Sequence, residues 1–228
     1  GNMDVGVLLS EIERHDGLFM LPGIFTSGGD LRRRAAPLIA PDPKSIPLVE
    51  NYVGLGGRAR ITLTVTDRGG NRYHHRRDIQ FLGRDGVLIQ DTVLPVARLK
   101  HTLVVNYHLG RLIGETRGHP GRIGYHERPW HNNDARLAVL FLAGFDAVRV
   151  WQWQREGEMA HCVAGIDYLD CPAGRAHTYV SLLLPFVGPA VPGGLAPAVD
   201  WKGGVIRLGN ADYRVEFMAG KPLKYPSS

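Results

Sequence analysis

This sequence predicts an all-β protein: a single large antiparallel β-sandwich, with a lipocalin-like β-barrel as the alternative. Three observations predict it. Apolar and polar residues alternate with the period of a half-buried strand, the alternating runs are strand-sized, and glycine-rich turns part them at short spacing. A chain of 228 residues fits one such domain, 1–228. Its 44% apolar content supplies a sizeable core.

The elements follow in order. Residues up to about 50 read as an irregular segment, with a helix over 4–14 and a proline-broken loop in "DLRRRAAPLIAPDPKSIP". "ARITLTVTD" sets Ile61, Leu63 and Val65 against Thr62, Thr64 and Thr66, a strand with one buried face. "RGGN" (68–71) is the hairpin turn, and "RYHHRRDIQF" is the return strand. On that strand Tyr73, His75, Arg77, Ile79 and Phe81 share one face, and His74, Arg76, Asp78 and Gln80 form a polar row on the other. "GRDG" (83–86) turns into "VLIQDTVL", and "HTLVVNYHL" continues the series. Residues 110–134 read as irregular, rich in Gly, Arg and His. "RLAVLFLAG", "AVRVWQWQRE", "EMAHCVAGIDYL" and "AHTYVSLLLPF" are further strands, and a Pro/Gly-rich loop (188–198) precedes "GGVIRLGN" and "DYRVEFMAG".

Composition narrows the partners. The net charge is +5 and the pI about 9.4, carried by arginine far more than lysine and spread along the chain. Planar guanidinium groups grip carboxylates and sulfates bidentately, so an acidic carbohydrate or small-molecule ligand is expected. No RNA-binding, zinc-finger or helix-turn-helix pattern is present, and no nucleic acid is expected. No apolar run is long enough for membrane insertion. Gly1-Asn2 ahead of Met3 reads as a cloning remnant with no export signal after it. A cytoplasmic protein is the expectation, unless an export signal has been removed. The two cysteines, Cys162 and Cys171, form no metal framework, and neither a metal nor a cofactor is expected.

Three stretches carry candidate chemistry. In "RYHHRRDIQF", His75 and Arg77 are placed near a wet, basic strand edge as ligand-binding residues, because polar groups on a strand face end at a rim. In "GHPGRIGYHERPWHNND", Tyr125, His126, Glu127 and His131 are the candidate proton-transfer groups. Trp130 there can stack on a sugar or an apolar ligand. In "VRVWQWQRE", Arg149, Trp151, Trp153 and Arg155 share one face. Indole can meet a sugar's C–H face while guanidinium holds its acidic groups, but a buried core face explains the same pattern.

The stretch "HHRRDIQFLGRDGVLIQDTVL…HTLVVNYHLG" resembles the C-terminal β-sandwich of heparinase II/III-type polysaccharide lyases. The matching residues are Arg76-Arg77, Asp85, Leu88-Ile89, Asp91 and His108-Leu109, and "HTYVSLLLPFVGP" resembles that domain's closing strand. The likeness implies a carbohydrate-associated accessory domain, adds His108 to the ligand-binding candidates, and assigns no catalytic residue. The family's α-helical toroid has no counterpart here.

A second likeness is to the hydroxyneurosporene-hydratase (CrtC/AttH-like) group of lipocalin-type barrels. It rests on Gly124-Tyr125-His126-Glu127…Trp130 and Trp151-Gln152-Trp153, with His131 where glycine is usual. It implies a barrel enzyme, a hydratase or cyclase, with Glu127 or His126 as proton donor. The sugar-mutarotase supersandwich fits the strand pattern without a motif.

Overall fold

The computed structural model describes residues 24–27, 32, 38–39, 51–55, 57–99, 103–109, 111–116, 123–127, 135–155, 158–168, 170–187 and 197–215. The expected helix over 4–14 lies outside them. The described residues form β-strands arranged in three open antiparallel sheets.

The hairpin reading of the middle of the chain holds. Strands β3 (Asn51–Leu55), β4 (Arg58–Thr66), β5 (Arg72–Leu82) and β6 (Gly86–Pro95) pair in sequence. Asp67 builds the β4–β5 turn: its carboxylate accepts from the Gly69 N–H at 2.9 Å, the Asn71 N–H at 2.8 Å and the Asn71 side-chain amide at 2.8 Å. A short acceptor at that position satisfies the turn's backbone locally, which is why Asp, Gly and Asn cluster in it.

After β6 the chain leaves the sheet. Strand β7 (Leu103–Leu109) pairs with β1 (Ile24–Ser27) and β12 (Glu158–Asp167), so it does not continue the β4–β6 series. With β2 (Leu38–Ile39) and β11 (Ala147–Arg155) these make a five-stranded sheet in the order β11-β12-β7-β1-β2. Residues 110–134, read as irregular, include β8 (Arg111–Thr116) and β9 (Ile123–Glu127). Their glycines and charged residues hid a weak alternation; β9 pairs with β10 (Ala135–Ala143) and β8 with β9. With β13 (His177–Val187) the larger sheet has eight strands, β3-β4-β5-β6-β13-β10-β9-β8. Ala198–Asp200, read as the end of a loop, is β14. It joins β15 (Val205–Leu208) and β16 (Ala211–Arg214) in a small third sheet.

Burial shows how the sheets stack. One face of the eight-stranded sheet meets the five-stranded sheet in an inner core, where Leu63, Val65, Tyr73, Ile79, Val93 and Phe141 pack with Ile24, Val105, Tyr107 and Val148. This is the expected sandwich. Part of the opposite face carries an outer core, where Leu82, Leu88, Leu140 and Leu182 pack with Ile206 and Leu208 of the small sheet. None of the three sheets closes on itself, so the barrel alternative is not what the chain forms.

Candidate functional site

Strand β5 decides where polar chemistry sits. His75 and Arg77 are not at a wet edge: they are 1% and 3% exposed and belong to the inner face. Register explains this, because Arg77 lies directly opposite Asp91 on β6 and Tyr179 of β13 follows in the same row. Asp91 Oδ1 takes hydrogen bonds from Arg77 Nε at 2.7 Å and pairs with His75 Nε2 at 2.6 Å, while Arg77 Nη2 donates to Oδ2 at 3.1 Å. Across the sandwich Tyr107 of β7 faces the same group, with Ser181 of β13 beside it.

Electrostatics fit a closed ion pair. Burial pushes the His75 pKa down, outweighing the raising effect of Asp91, so the ring is neutral near pH 7. Burial would raise the Asp91 pKa, but the Arg77 charge and the His75 hydrogen bond hold it below the usual carboxylate range. Burial drives the Tyr107 hydroxyl up, with the Asp91 charge adding to it. Removing one member of such a pair strands the other charge in the interior, at a cost of about 3–5 kcal/mol. These groups tie β5 to β6 inside the sandwich.

The even-numbered residues of β5 form the open face. Cross-strand rows run Thr66–Arg72, then Thr64–His74–Leu94, then Thr62–Arg76–Thr92–Thr178, then Arg60–Asp78–Gln90–Val180. The outer core under the small sheet reaches Val180 at the end of the last row, where Asp78 and Gln90 are buried, and past that row the Gln80 amide donates to the Arg214 carbonyl at 2.8 Å. His74 and Arg72 are exposed, and Thr64 Oγ1 lies 3.0 Å from His74 Nδ1. Asp78 is nearly buried between two guanidinium groups. Arg60 Nε donates to its Oδ1 at 2.5 Å, and Arg76 Nε makes an ion pair with its Oδ2 at 3.0 Å. Arg60 and Arg76 thus face one carboxylate beside Thr62 and Thr92, and Arg72 lies further along the same face.

The sequence marks the row His74, Arg76 and Asp78 as polar and sets the expected ligand residues His75 and Arg77 on the other side of the pleat, the side the structure buries. The missed clue was the threonine row of β4, which shares its face with the even residues of β5 and marks that face as the wet one.

The remaining candidates fall elsewhere. In β11, Arg149, Trp151 and Trp153 alternate with Val148, an inner-core residue, and Trp151 and His108 share the Cys162 row. Arg149 is half-buried. Strands β7 and β11 belong to a different sheet from β4–β6, and His75, Arg77, Arg149 and Trp151 are not exposed together. Tyr125 and Glu127 pair with Ala138 and Arg136, while His126 pairs with Leu137, so alternation puts His126 on the other side of the sheet from its two neighbours. For His108, Trp151, Trp153 and residues 125–127 the structure describes the backbone alone. Trp130 and His131 lie outside the described residues.

No family model and no curated protein matches the chain. Solved structures do. The heparan sulfate lyase HepC from Pedobacter heparinus superposes on 72% of this chain and 26% of its own, with a TM-score of 0.51 at 12% identity. The likeness is one of fold. A heparinase III (72% of this chain, 26% of its own, 11% identity) and the heparinase III-BT4657 gene product (74%, 27%, 12%) superpose with TM-scores of 0.43 and 0.44, below the level at which a fold is shared. The chain spans about a quarter of the length of each of these structures.

Proposed function

We propose that this chain is a carbohydrate-associated β-sandwich domain that binds acidic polysaccharide, as an accessory part of a polysaccharide-lyase-type protein. The observation that carries the reading is the sheet arrangement it has in common with the heparan sulfate lyase HepC. The polar face of β4–β6 supports it independently: two arginines against one aspartate, with Arg72, His74 and a row of threonines further along the face, suit a chain bearing carboxylates or sulfates. The barrel-enzyme reading has no such support, because the sheets are open.

The test is binding to a panel of sulfated, uronate and neutral polysaccharides at low and high salt. Binding to the charged chains that weakens with salt, with none to the neutral chains, is the expected result. Equal binding to neutral chains, or none to any, would discard the proposal.

A further inference from the structure

We propose that Arg60, Asp78 and Arg76 form a subsite for one carboxylate or sulfate group of an acidic saccharide, with Gln90 and Thr92 as its floor. The inference rests on the proposed function for the saccharide that carries the group; the anion-binding geometry stands without it.

Two features of the face build the site. Asp78 engages one guanidinium with each of its oxygens, in both cases through Nε. One carboxylate thereby holds two arginines side by side and leaves one positive charge in excess. Among the described residues neither guanidinium has a second partner, so their terminal amino groups can donate to an anion. Arginine donors held in a fixed fork grip planar or tetrahedral oxyanions without having to be ordered first.

The second feature is a set of buried polar atoms with nothing to bond. Gln90 lies directly opposite Asp78 and is 0% exposed, yet neither its amide oxygen nor its amide nitrogen has a hydrogen-bond partner. Thr92 lies opposite Arg76, and its Oγ1 has none. Gln80 Oε1, on the same face, has none. Buried donors and acceptors are nearly always satisfied, by protein, water or ligand. A fork of two cations beside uncommitted amide and hydroxyl groups is what a uronate or sulfated sugar requires, its charged group in the fork and its hydroxyls on the amide. The row of Thr62, Thr64 and His74 continues the surface for neighbouring sugar units.

The experiment is calorimetric titration of the whole chain with a heparin oligosaccharide, which carries sulfates and carboxylates, and with oligogalacturonate, which carries carboxylates alone. Arg60→Gln, Arg76→Gln and Arg76→Lys are compared with Arg207→Gln, a control on the small sheet. Denaturant midpoints confirm that each variant folds. The two glutamine variants are expected to weaken binding by about tenfold to a hundredfold. Arg76→Lys is expected to restore part of it, and Arg207→Gln to change little. Loss with heparin alone assigns a sulfate; loss with both assigns a carboxylate. Wild-type binding that both glutamine variants retain would overturn the subsite and leave the domain's function standing. If the wild type binds neither oligosaccharide, the function fails. Inorganic sulfate then decides the fork: shifts of the Arg60 and Arg76 Nε NMR signals keep it as an anion site, and unmoved signals overturn it.

Discussion

His75 shows how one side chain ties stability to pH. In the unfolded chain its imidazole takes up a proton as pH falls through about 6.5. In the folded protein burial lowers its pKa, so it stays neutral there. Between those two points the unfolded state binds more protons, and stability drops as pH falls. Asp91 acts in the same direction further down: its lowered pKa gives stability above the ordinary carboxylate range, lost on further acidification. Urea midpoints are therefore expected to be level above about pH 7 and to decline towards pH 5, by at most about 1.4 kcal/mol per pH unit for one proton. His75→Asn should be less stable at pH 7 but flatter across that range. An unchanged slope in the variant would assign the acid sensitivity to other groups.

Gly165 in β12 is a position where two elements meet closely. A Cβ there would sit 2.3 Å from Phe145 Cδ1 and 2.7 Å from Phe141 Cδ1. The two rings pack edge to face at 5.1 Å, and Phe145 continues to Tyr179 at 5.3 Å. This stack joins the β10–β11 turn to the inner core, and the missing side chain on β12 makes room for it. Gly165→Ala is expected to cost about 1–3 kcal/mol through overpacking, read as a lowered denaturant midpoint. A neutral result would show that Phe145 can move aside. Strand β6 carries a different lesson: Gly86 to Asp91 are all buried, because both faces of the large sheet are covered there.

At the level of the molecule, the small sheet is a lid on one part of the large one. Ile206 is fully buried against Leu82, Leu88 and Leu182, but the β14–β16 sheet shares no backbone ladder with the others. Side-chain packing holds it, so it should open as a unit. Ile206→Asp buries a charge in that contact. Hydrogen exchange is expected to show lost protection over 197–215 while β4–β6 stay protected. Uniform loss across both would mean that the large sheet cannot stand without its cover.

Much of this architecture was readable in advance. Alternation located β4, β5 and β11, because a strand with one wet face writes its period into the sequence; strand-sized apolar runs located β10 and β13, which are buried on both faces, and "RGGN" marked the β4–β5 turn. β8 and β9 were not readable, since the ladder from β10 to β9 to β8, and not their own pattern, makes them strands. The polar row His74, Arg76 and Asp78 was also legible as a row. Its exposure was not.

The sequence by itself determined the class of the fold, the two faces of each strand and the excess of arginine. Tertiary structure alone decided which of those faces is wet. On β5 the inward face carries His75 and Arg77 beside Tyr73 and Ile79, so residue type alone left open whether that polar pair ends at a rim or is enclosed. The choice follows from Asp91, whose buried charge needs Arg77 and His75 beside it, and from the outer core, which leaves Arg72 and His74 exposed and Arg76 half-buried. A period of two fixes which residues share a face; only the layers packed on a sheet fix what that face meets.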